Sequence, residues 1–276
     1  MIDVLLDTLL DIIKLFPFLF LAFLIIELIE HKFSEKSKSF ISSSGKLGPV
    51  IGGLLGAIPQ CGFSVVATNL YITRIITLGT LISIYLSTSD EMLPILLTSN
   101  TPLTKVLLIV SIKIIIGIIA GFIIDLIFRN NVKKDFHICE DDECDCEHSL
   151  IKSVIIHTLK TALFITIITL LLNILFYYVG EELIGKMFLS NPIIAPFISS
   201  LIGLIPNCGS SIAITELYIN NVINMGTLIG GLLTGSGVAI LVLFKSNKDI
   251  KENLLILSLI YFIGVISGII INIISF

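Results

Sequence analysis

Long apolar segments recur along the chain and are separated by short polar loops. A run of about 20 apolar residues is long enough to cross the hydrocarbon core of a bilayer as a helix. We therefore predict membrane-spanning helices at residues 8–30, 74–97, 104–128, 153–178, 223–244 and 253–276. The span at 74–97 contains a weak point, because the polar run 87–91 lies inside it.

Two further apolar segments are interrupted near their centres. Residues 47–72 are broken at 58–62, and residues 193–219 are broken at 205–209. Each break contains a proline, which removes a backbone donor, and a glycine, which permits a tight reversal. An arm of 12 residues rises about 18 Å, little more than half of a core of about 30 Å. We therefore predict that each segment is a re-entrant hairpin of two short helices.

The second half of the chain repeats the first with an offset of 147 residues. Residues 49–82 and 196–229 share 18 identities over 34 positions, including Pro, Cys, Gly, Ser, Thr and Tyr. Apolar similarity alone would not align these residue types together. The predicted organisation is a first membrane repeat at 1–128, a polar linker at 129–152, and a second membrane repeat at 153–276.

The distribution of basic residues predicts the orientation of the spans. Lysine and arginine concentrate in the loops 31–46, 129–152 and 245–252. The positive-inside rule places these loops in the cytoplasm, which leaves both termini outside it. Each repeat then crosses the membrane an odd number of times. The predicted fold is therefore an all-α polytopic membrane protein with two inverted-topology repeats, each of three spans plus a broken re-entrant helix hairpin.

Composition narrows the protein class in the same direction. The 276 residues are 55% hydrophobic and only 14% charged, whereas soluble domains carry about 25% charged residues. The apolar content excludes disorder, and a net charge of −4 without a basic stripe argues against a nucleic-acid binder. We predict a multi-pass protein of the cell membrane.

The two predicted breaks share the pattern Pro-x-Cys-Gly-x-Ser, followed by a threonine on the same helix face. Backbone groups freed at a break must be buried in protein or line a wet cavity. Thiols suit soft cations or trivalent arsenic, whereas amide and carbonyl oxygens suit a harder ion such as manganese. The alternative is that the hydroxyls join helices and the breaks are structural kinks. The candidate substrate-binding residues are Pro59, Gln60, Cys61, Gly62, Ser64 and Thr68, with Pro206, Asn207, Cys208, Gly209, Ser211 and Thr215.

Ionisable side chains within apolar segments form a second set of candidates. A charge is costly in hydrocarbon, so each should face a pathway, a partner or water. Asp90 and Glu216 are the candidates for cation or proton coupling, together with Glu91 and with Asn69, which aligns with Glu216. The alternative is that a charged side chain extends from a helix end to the interface, a reading strongest for Glu27.

The linker is rich in cysteine, histidine and carboxylate residues. A tract of this kind suggests metal capture, although its spacing specifies no metal. The alternative is an acidic, solvated connection between the repeats. The candidate ligands are His137, Cys139, Cys144, Cys146 and His148.

No nucleotide-binding loop or hydrolase motif occurs in the sequence. We therefore predict no enzymatic activity and no cofactor. Transport would be driven by an ion gradient or by a further partner.

The paired Ile-Pro-x-Cys-Gly-x-Ser motifs, the run 87–91, Pro17-Phe18-Leu19-Phe20, His157-Thr158-Leu159-Lys160 and the Cys/His-rich linker resemble a bacterial membrane family. That family is described as ten-helix heavy-metal exporters and is also labelled as arsenic efflux or manganese transport proteins. Its ten helices correspond to the six predicted spans and four hairpin arms. Export, as opposed to uptake, is what this resemblance implies.

The leading hypothesis is a secondary transporter that exports a heavy-metal or metalloid ion through a midplane site formed by the two breaks. One alternative is a membrane thiol-redox protein that passes electrons between Cys61 or Cys208 and Cys144 or Cys146. Another is a metal-sensing membrane protein that uses the linker. The partners predicted are the ion and the lipid bilayer, and the sequence leaves the oligomeric state open, a homo-oligomer included.

Overall fold

The computed structural model describes residues 47–58, 61–89, 92–99, 101–128 and 193–274, with single positions between 13 and 24 and between 154 and 170. Most of the predicted spans 8–30 and 153–178, and the linker 129–152, lie outside the described residues. The backbone is described at Cys61, Gly62 and Cys208, but their side chains are not.

The described residues form the same series of five helices twice. The first series is α1 (Gly48–Gly56), α2 (Cys61–Ile72), α3 (Leu78–Ser87), α4 (Met92–Thr98) and α5 (Leu103–Phe128). The second series is α6 (Ala195–Gly203), α7 (Cys208–Ile219), α8 (Met225–Thr234), α9 (Ala239–Ser246) and α10 (Ile250–Ile274). Each helix of the second series begins 147 residues after its counterpart, so the sequence repeat is also a repeat of structure.

Both predicted breaks interrupt a helix at the expected place. Helix α1 ends at Gly56 before α2 begins at Cys61, and α6 ends at Gly203 before α7 begins at Cys208. Helices α1 and α6 each carry a proline in the first turn, where its missing N–H costs no intrahelical bond.

The segments 74–97 and 223–244 differ from the prediction of one continuous span each. The helix stops at Ser87 in the first segment and at Thr234 in the second, then resumes at Met92 and Ala239. In the first, Thr88 leaves the helical conformation with φ −53° and ψ 127°, while its N–H and its hydroxyl both donate to the carbonyl of Ile84, at 3.0 and 2.7 Å.

In the second segment, the chain leaves α8 through Gly235 and turns at Gly237, which has φ 56°. Glycine adopts this left-handed backbone conformation without steric cost. The described part of each repeat therefore contains a second helix break, which the sequence indicated only as a weak point in the first repeat.

Helices α3 and α8 form the centre of the molecule. Every residue of α3 from Gly79 to Ser87 is buried, as is every residue of α8 from Gly226 to Thr234. Helices α1 and α5 pack against α3, and α6 and α10 pack against α8. Only one face of α5 and of α10 is buried, and the opposite faces expose isoleucine, leucine and phenylalanine side chains.

Three helical segments in the described part of the chain are long and apolar enough to cross a membrane. They are Leu103–Phe128, Met225–Ser246 and Ile250–Ile274. The first is α5, the second joins α8 and α9, and the third is α10. The structure is thus a helical membrane protein.

Asp125 on α5 fixes the start of α3 against the end of α5. Its carboxylate accepts a hydrogen bond from the Gly79 N–H at 2.8 Å and another from the Thr77 hydroxyl at 2.7 Å. A carboxylate is favoured at this position because a helix N-terminus carries partial positive charge. In the second repeat, Asn272 replaces the aspartate and donates to the Thr227 hydroxyl at 3.3 Å.

The two repeats contact each other reciprocally. Helix α2 of the first repeat packs against α9 of the second, and α7 of the second packs against α4 of the first. Exchanged contacts of this kind are the property of a two-fold arrangement. The helix that follows each Pro-x-Cys-Gly break therefore lies against the helix that follows the second break of the opposite repeat.

Candidate functional site

The Pro-x-Cys-Gly break of the second repeat is stabilised by its own polar residues. Asn207 is buried and accepts a hydrogen bond from the Gly209 N–H through its side chain at 3.3 Å, which caps α7. The Ser210 hydroxyl donates to the Asn207 carbonyl at 2.8 Å. Pro206 is half-buried beside them. The side chain of Asn207 thus stabilises the start of α7.

The break of the first repeat is described only at its edges. Pro59 and Gln60 lie outside the described residues, and α2 begins at Cys61. Cys61 and Cys208 each occupy the first position of a helix. A helix N-terminus carries partial positive charge, so a negatively charged sulfur ligand is favoured at both positions.

The two breaks within each repeat lie side by side. A Cβ atom built on Gly56 would come within 2.1 Å of the Ser87 Oγ, where α3 ends. A Cβ atom built on Gly203 would come within 2.2 Å of the Thr234 Oγ1, where α8 ends. Only glycine permits these approaches, which bring the carbonyl ends of two half-helices together in each repeat.

The serine and threonine predicted on one face of α2 are buried, and so is Tyr71 further along this helix; we call these three residues the polar stripe of α2. Ser64, Thr68 and Tyr71 are each at most 3% exposed. The Thr68 hydroxyl lies 2.7 Å from the Ser64 carbonyl, to which it donates, and 2.5 Å from the hydroxyl of Tyr85 on α3. The contact between Thr68 and Tyr85 joins α2 to α3, as the alternative interpretation of these hydroxyls expects. It also places buried polar groups on the helix that begins at Cys61.

The equivalent stripe on α7 is less enclosed. Thr215 is fully buried and donates to the carbonyl of Ser211 at 2.7 Å, whereas Ser211 and Tyr218 are half-buried. Gly209 lies in the first turn of α7. The two stripes are therefore similar in sequence and unequal in environment.

The predicted ionisable residues are placed only in part. Asp90 and Glu91 lie outside the described residues, as does Glu27. Glu216 is half-buried on α7, and its counterpart Asn69 is buried on α2.

Lys113 is a buried charge that the sequence analysis overlooked. It lies near the middle of α5 with an exposed fraction of 1%, and its Nζ donates to the carbonyl of Thr88, directly after α3. An intramembrane lysine is costly in lipid and is typical of functional sites. The signal was visible in the sequence as a basic residue in the middle of the apolar segment 104–128.

A second overlooked feature joins the two repeats at one end of the molecule. The guanidinium of Arg74 donates to both carboxylate oxygens of Glu252, at 2.6 and 2.9 Å. Tyr71 also donates to Glu252, and Asn247 donates to it at 3.0 Å. The Arg74 guanidinium is always charged, so the contact is an ion pair with two parallel hydrogen bonds. We call this group the Arg74–Glu252 contact.

The linker ligands His137, Cys139, Cys144, Cys146 and His148 lie outside the described residues. Within the part of the chain that the structure describes, no group of three or more His, Cys, Asp or Glu side chains is placed to hold a metal ion.

Apolar helices that are interrupted, with buried polar groups beside the interruptions, are typical of polytopic membrane proteins, transporters among them. The chain matches the family model ArsP_2, described as "Putative, 10TM heavy-metal exporter", over residues 1–176 and 162–275. It belongs to this family, as the resemblance in its motifs indicated. A search of curated proteins and a search of solved structures each returned no match.

Proposed function

We propose that the protein is a secondary transporter of the cell membrane that exports a heavy-metal or metalloid ion. The observation that carries the proposal is the adjacency of two helix breaks in each repeat, at Gly56 beside Ser87 and at Gly203 beside Thr234. Broken helices that meet within the membrane expose carbonyl groups and helix ends to a substrate. Membership of a family described as heavy-metal exporters supports the cargo class.

The proposed substrate path runs between the Pro-x-Cys-Gly breaks. Cys61 and Cys208 would be soft ligands at helix N-termini, and the hydroxyls of Ser64, Thr68 and Thr215 would supply oxygen atoms near them. Manganese, arsenite and soft divalent metals remain the candidate cargoes. Asp90 and Glu216 remain the candidates for coupling transport to a cation or proton gradient.

The proposed mechanism is alternating access between two inverted repeats. The reciprocal packing of α2 on α9 and of α7 on α4 supports a two-fold relation between the repeats. With the basic loops in the cytoplasm and both termini outside it, the axis of that relation would lie in the membrane plane. Rocking of one repeat against the other would then open the breaks to each side in turn.

The test is elemental analysis of a metal-sensitive bacterial host with and without the protein. The panel is manganese, zinc, copper, cadmium and arsenite, and loading of inside-out vesicles gives the direction. We expect a selective fall in the cellular content of one element. Unchanged content of all five elements would overturn the export proposal.

The thiol site is tested separately with the double variant Cys61→Ser and Cys208→Ser. We expect it to lose metal export. The matched control is the triple variant Cys139→Ser, Cys144→Ser and Cys146→Ser, which removes as many thiols from the linker and should retain export. Full export by the double variant would contradict the thiol site and leave a carrier with oxygen ligands.

A further inference from the structure

The first repeat carries its own positive charge at the carbonyl end of α3. Helix α3 ends at Ser87, and the following carbonyl, that of Thr88, accepts a hydrogen bond from the buried ammonium of Lys113. The C-terminal end of a helix carries partial negative charge, because its last carbonyls lack intrahelical donors. Lys113 therefore places a positive charge against that end of α3.

The second repeat has the same geometry without the charge. Gly117 and Gly264 lie one turn beyond Lys113 and Ile260, and each approaches the equivalent backbone carbonyl. A Cβ atom on Gly117 would lie 2.8 Å from the Ser83 carbonyl oxygen, and one on Gly264 would lie 2.9 Å from that of Gly230. Ile260, which is fully buried, therefore occupies the place of Lys113 and can donate no hydrogen bond.

Buried hydroxyl groups without partners collect near this end of α8. Ser199, Ser200 and Ser236 are each at most 1% exposed, and their hydroxyls have no hydrogen-bond partner in the part of the chain that the structure describes. Ser236 is the second residue after α8. A Cβ atom on Gly264 would lie 3.2 Å from the Ser200 Oγ and 2.5 Å from the Thr234 Cγ2, which places Ser200 beside the last turn of α8.

The first repeat lacks these free hydroxyls. The residues equivalent to Ser199 and Ser200 are Gly52 and Gly53. The residue equivalent to Ser236 is Ser89, whose hydroxyl donates to the Ser87 carbonyl at 3.1 Å. The second repeat, which lacks the lysine, therefore has unpartnered hydroxyl oxygens at these three positions. The first repeat, which has the lysine, has none at the equivalent positions.

We propose that the second repeat binds a sodium ion at the carbonyl end of α8, in the place that the Lys113 ammonium takes in the first repeat. The Gly235 carbonyl and the hydroxyls of Ser236 and Ser200 are the proposed ligands. Carbonyls at half-helix C-termini are known ligands for sodium in transporters. Uncharged oxygens compensate one positive charge, whereas a divalent ion calls for carboxylates. None of these ligands titrates, so the site does not hold a proton in place of the ion.

A sodium ion bound here could also drive export as the coupling ion, and that role rests on the proposed function. Binding of the ion does not depend on the proposed function. The binding test therefore uses the purified full-length protein without any heavy metal. Thermal unfolding is followed in sodium chloride and in choline chloride at equal ionic strength, with lithium and potassium chloride as further arms. We expect a saturable rise of the unfolding midpoint with sodium, and a weaker response to potassium. Equal midpoints in sodium and choline would overturn the proposal.

Substitution at Ile260 tests the place of the ion. Ile260→Lys should supply the missing ammonium, so its unfolding midpoint should no longer respond to sodium. The matched control Ile260→Met has a similar length and no charge, and it should retain the response. A sodium response of Ile260→Lys equal to that of the control would contradict the proposal.

Ser236→Ala provides an independent test of the site if Ile260→Lys does not fold. We expect it to weaken the apparent sodium affinity at least about tenfold, which corresponds to 1.4 kcal/mol. An unchanged affinity would overturn the site. A protein that responds to sodium but moves no metal would refute the export proposal alone, and a metal exporter without a sodium response would refute the sodium site alone.

Discussion

At the scale of single residues, the clearest asymmetry between the repeats is Lys113 against Ile260. The sequence shows both residues at equivalent positions, since they lie 147 apart. It does not show that the lysine binds the backbone carbonyl of Thr88, because a carbonyl leaves no mark in a side-chain pattern.

We expect Lys113→Met to destabilise the protein and to slow transport. The Thr88 carbonyl would lose its buried donor, at a cost of about 1–3 kcal/mol. Vesicle transport should also fall, because Thr88 directly follows the end of α3, beside the break at Gly56. The measurements are the thermal unfolding midpoint and the initial rate of metal transport.

The control for this variant is Lys105→Met, which removes a lysine from the exposed first turn of the same helix. It should leave both measurements close to those of the unaltered protein. Equal effects of the two variants would show that the position of Lys113 has no special importance.

At the scale of helices, small residues decide how closely the broken segments pack. In the first repeat, Gly53 makes room for Ser83, and a Cβ on Gly53 would lie 3.1 Å from the Ser83 Oγ. In the second, the sizes are exchanged, and a Cβ on Gly230 would lie 3.3 Å from the Ser200 Oγ. The equivalent helix contact is thus built twice with the glycine on opposite partners.

We expect Gly203→Ala to destabilise the protein, because the new methyl group would lie 2.1 Å from the Gly231 carbonyl oxygen. Overpacking of this kind costs about 1–3 kcal/mol, more than the roughly 1 kcal/mol that alanine gains over glycine in a helix. The measurement is the unfolding midpoint in detergent.

Gly209→Ala is the matched control, because the nearest atom to its new methyl group is the Asn207 Nδ2 at 3.5 Å. It should unfold at or slightly above the midpoint of the unaltered protein. If Gly203→Ala were as stable as this control, α6 and α8 would not meet as closely as the structure shows.

At the scale of the whole molecule, the Arg74–Glu252 contact ties the first repeat to the second at one end only. The residues equivalent to Arg74 and Glu252 are Asn221 and Lys105, which cannot form an ion pair. Arg74 and Asn221 share a left-handed backbone, with φ of 58° and 57°, so the turn is conserved while the charge is not. The distribution of basic residues predicts that the loop 245–252 is cytoplasmic, which would place this contact at the cytoplasmic end.

We expect a double-mutant cycle of Arg74→Met and Glu252→Gln to give a coupling energy of roughly 1–3 kcal/mol in unfolding experiments. A bidentate, partly buried ion pair with two further donors is worth more than an exposed pair, whose value is about 0–1 kcal/mol. A coupling energy near zero would mean that the contact does not hold the repeats together.

Deletion of residues 137–148 tests the role of the linker in the whole protein. The proposed path lies between the membrane repeats, so we expect the shortened protein to retain most of its metal export. The measurement is the cellular content of the exported element. Loss of export by a protein that still reaches the membrane would instead favour a metal-capturing or sensing role for the linker.

Much of the architecture follows from local physical chemistry in the sequence. Apolar runs such as 104–128 and 253–276 are long enough to span a bilayer, and they form α5 and α10. Proline and glycine end helices through their own backbone geometry, so the breaks after Gly56 and Gly203 were predictable. The offset of 147 residues likewise predicted that each helix would have a counterpart.

Only the tertiary structure decided what these elements do together. The polar run 87–91 was a weak point in a predicted span, and in the structure the helix ends there, with the Ser87 and Thr88 hydroxyls bound to carbonyls of the preceding turn. The meeting of Gly203 with Thr234, and of Lys113 with the carbonyl of Thr88, joins residues more than 20 positions apart. Such contacts depend on the packing of helices that hydropathy and local backbone preference do not specify.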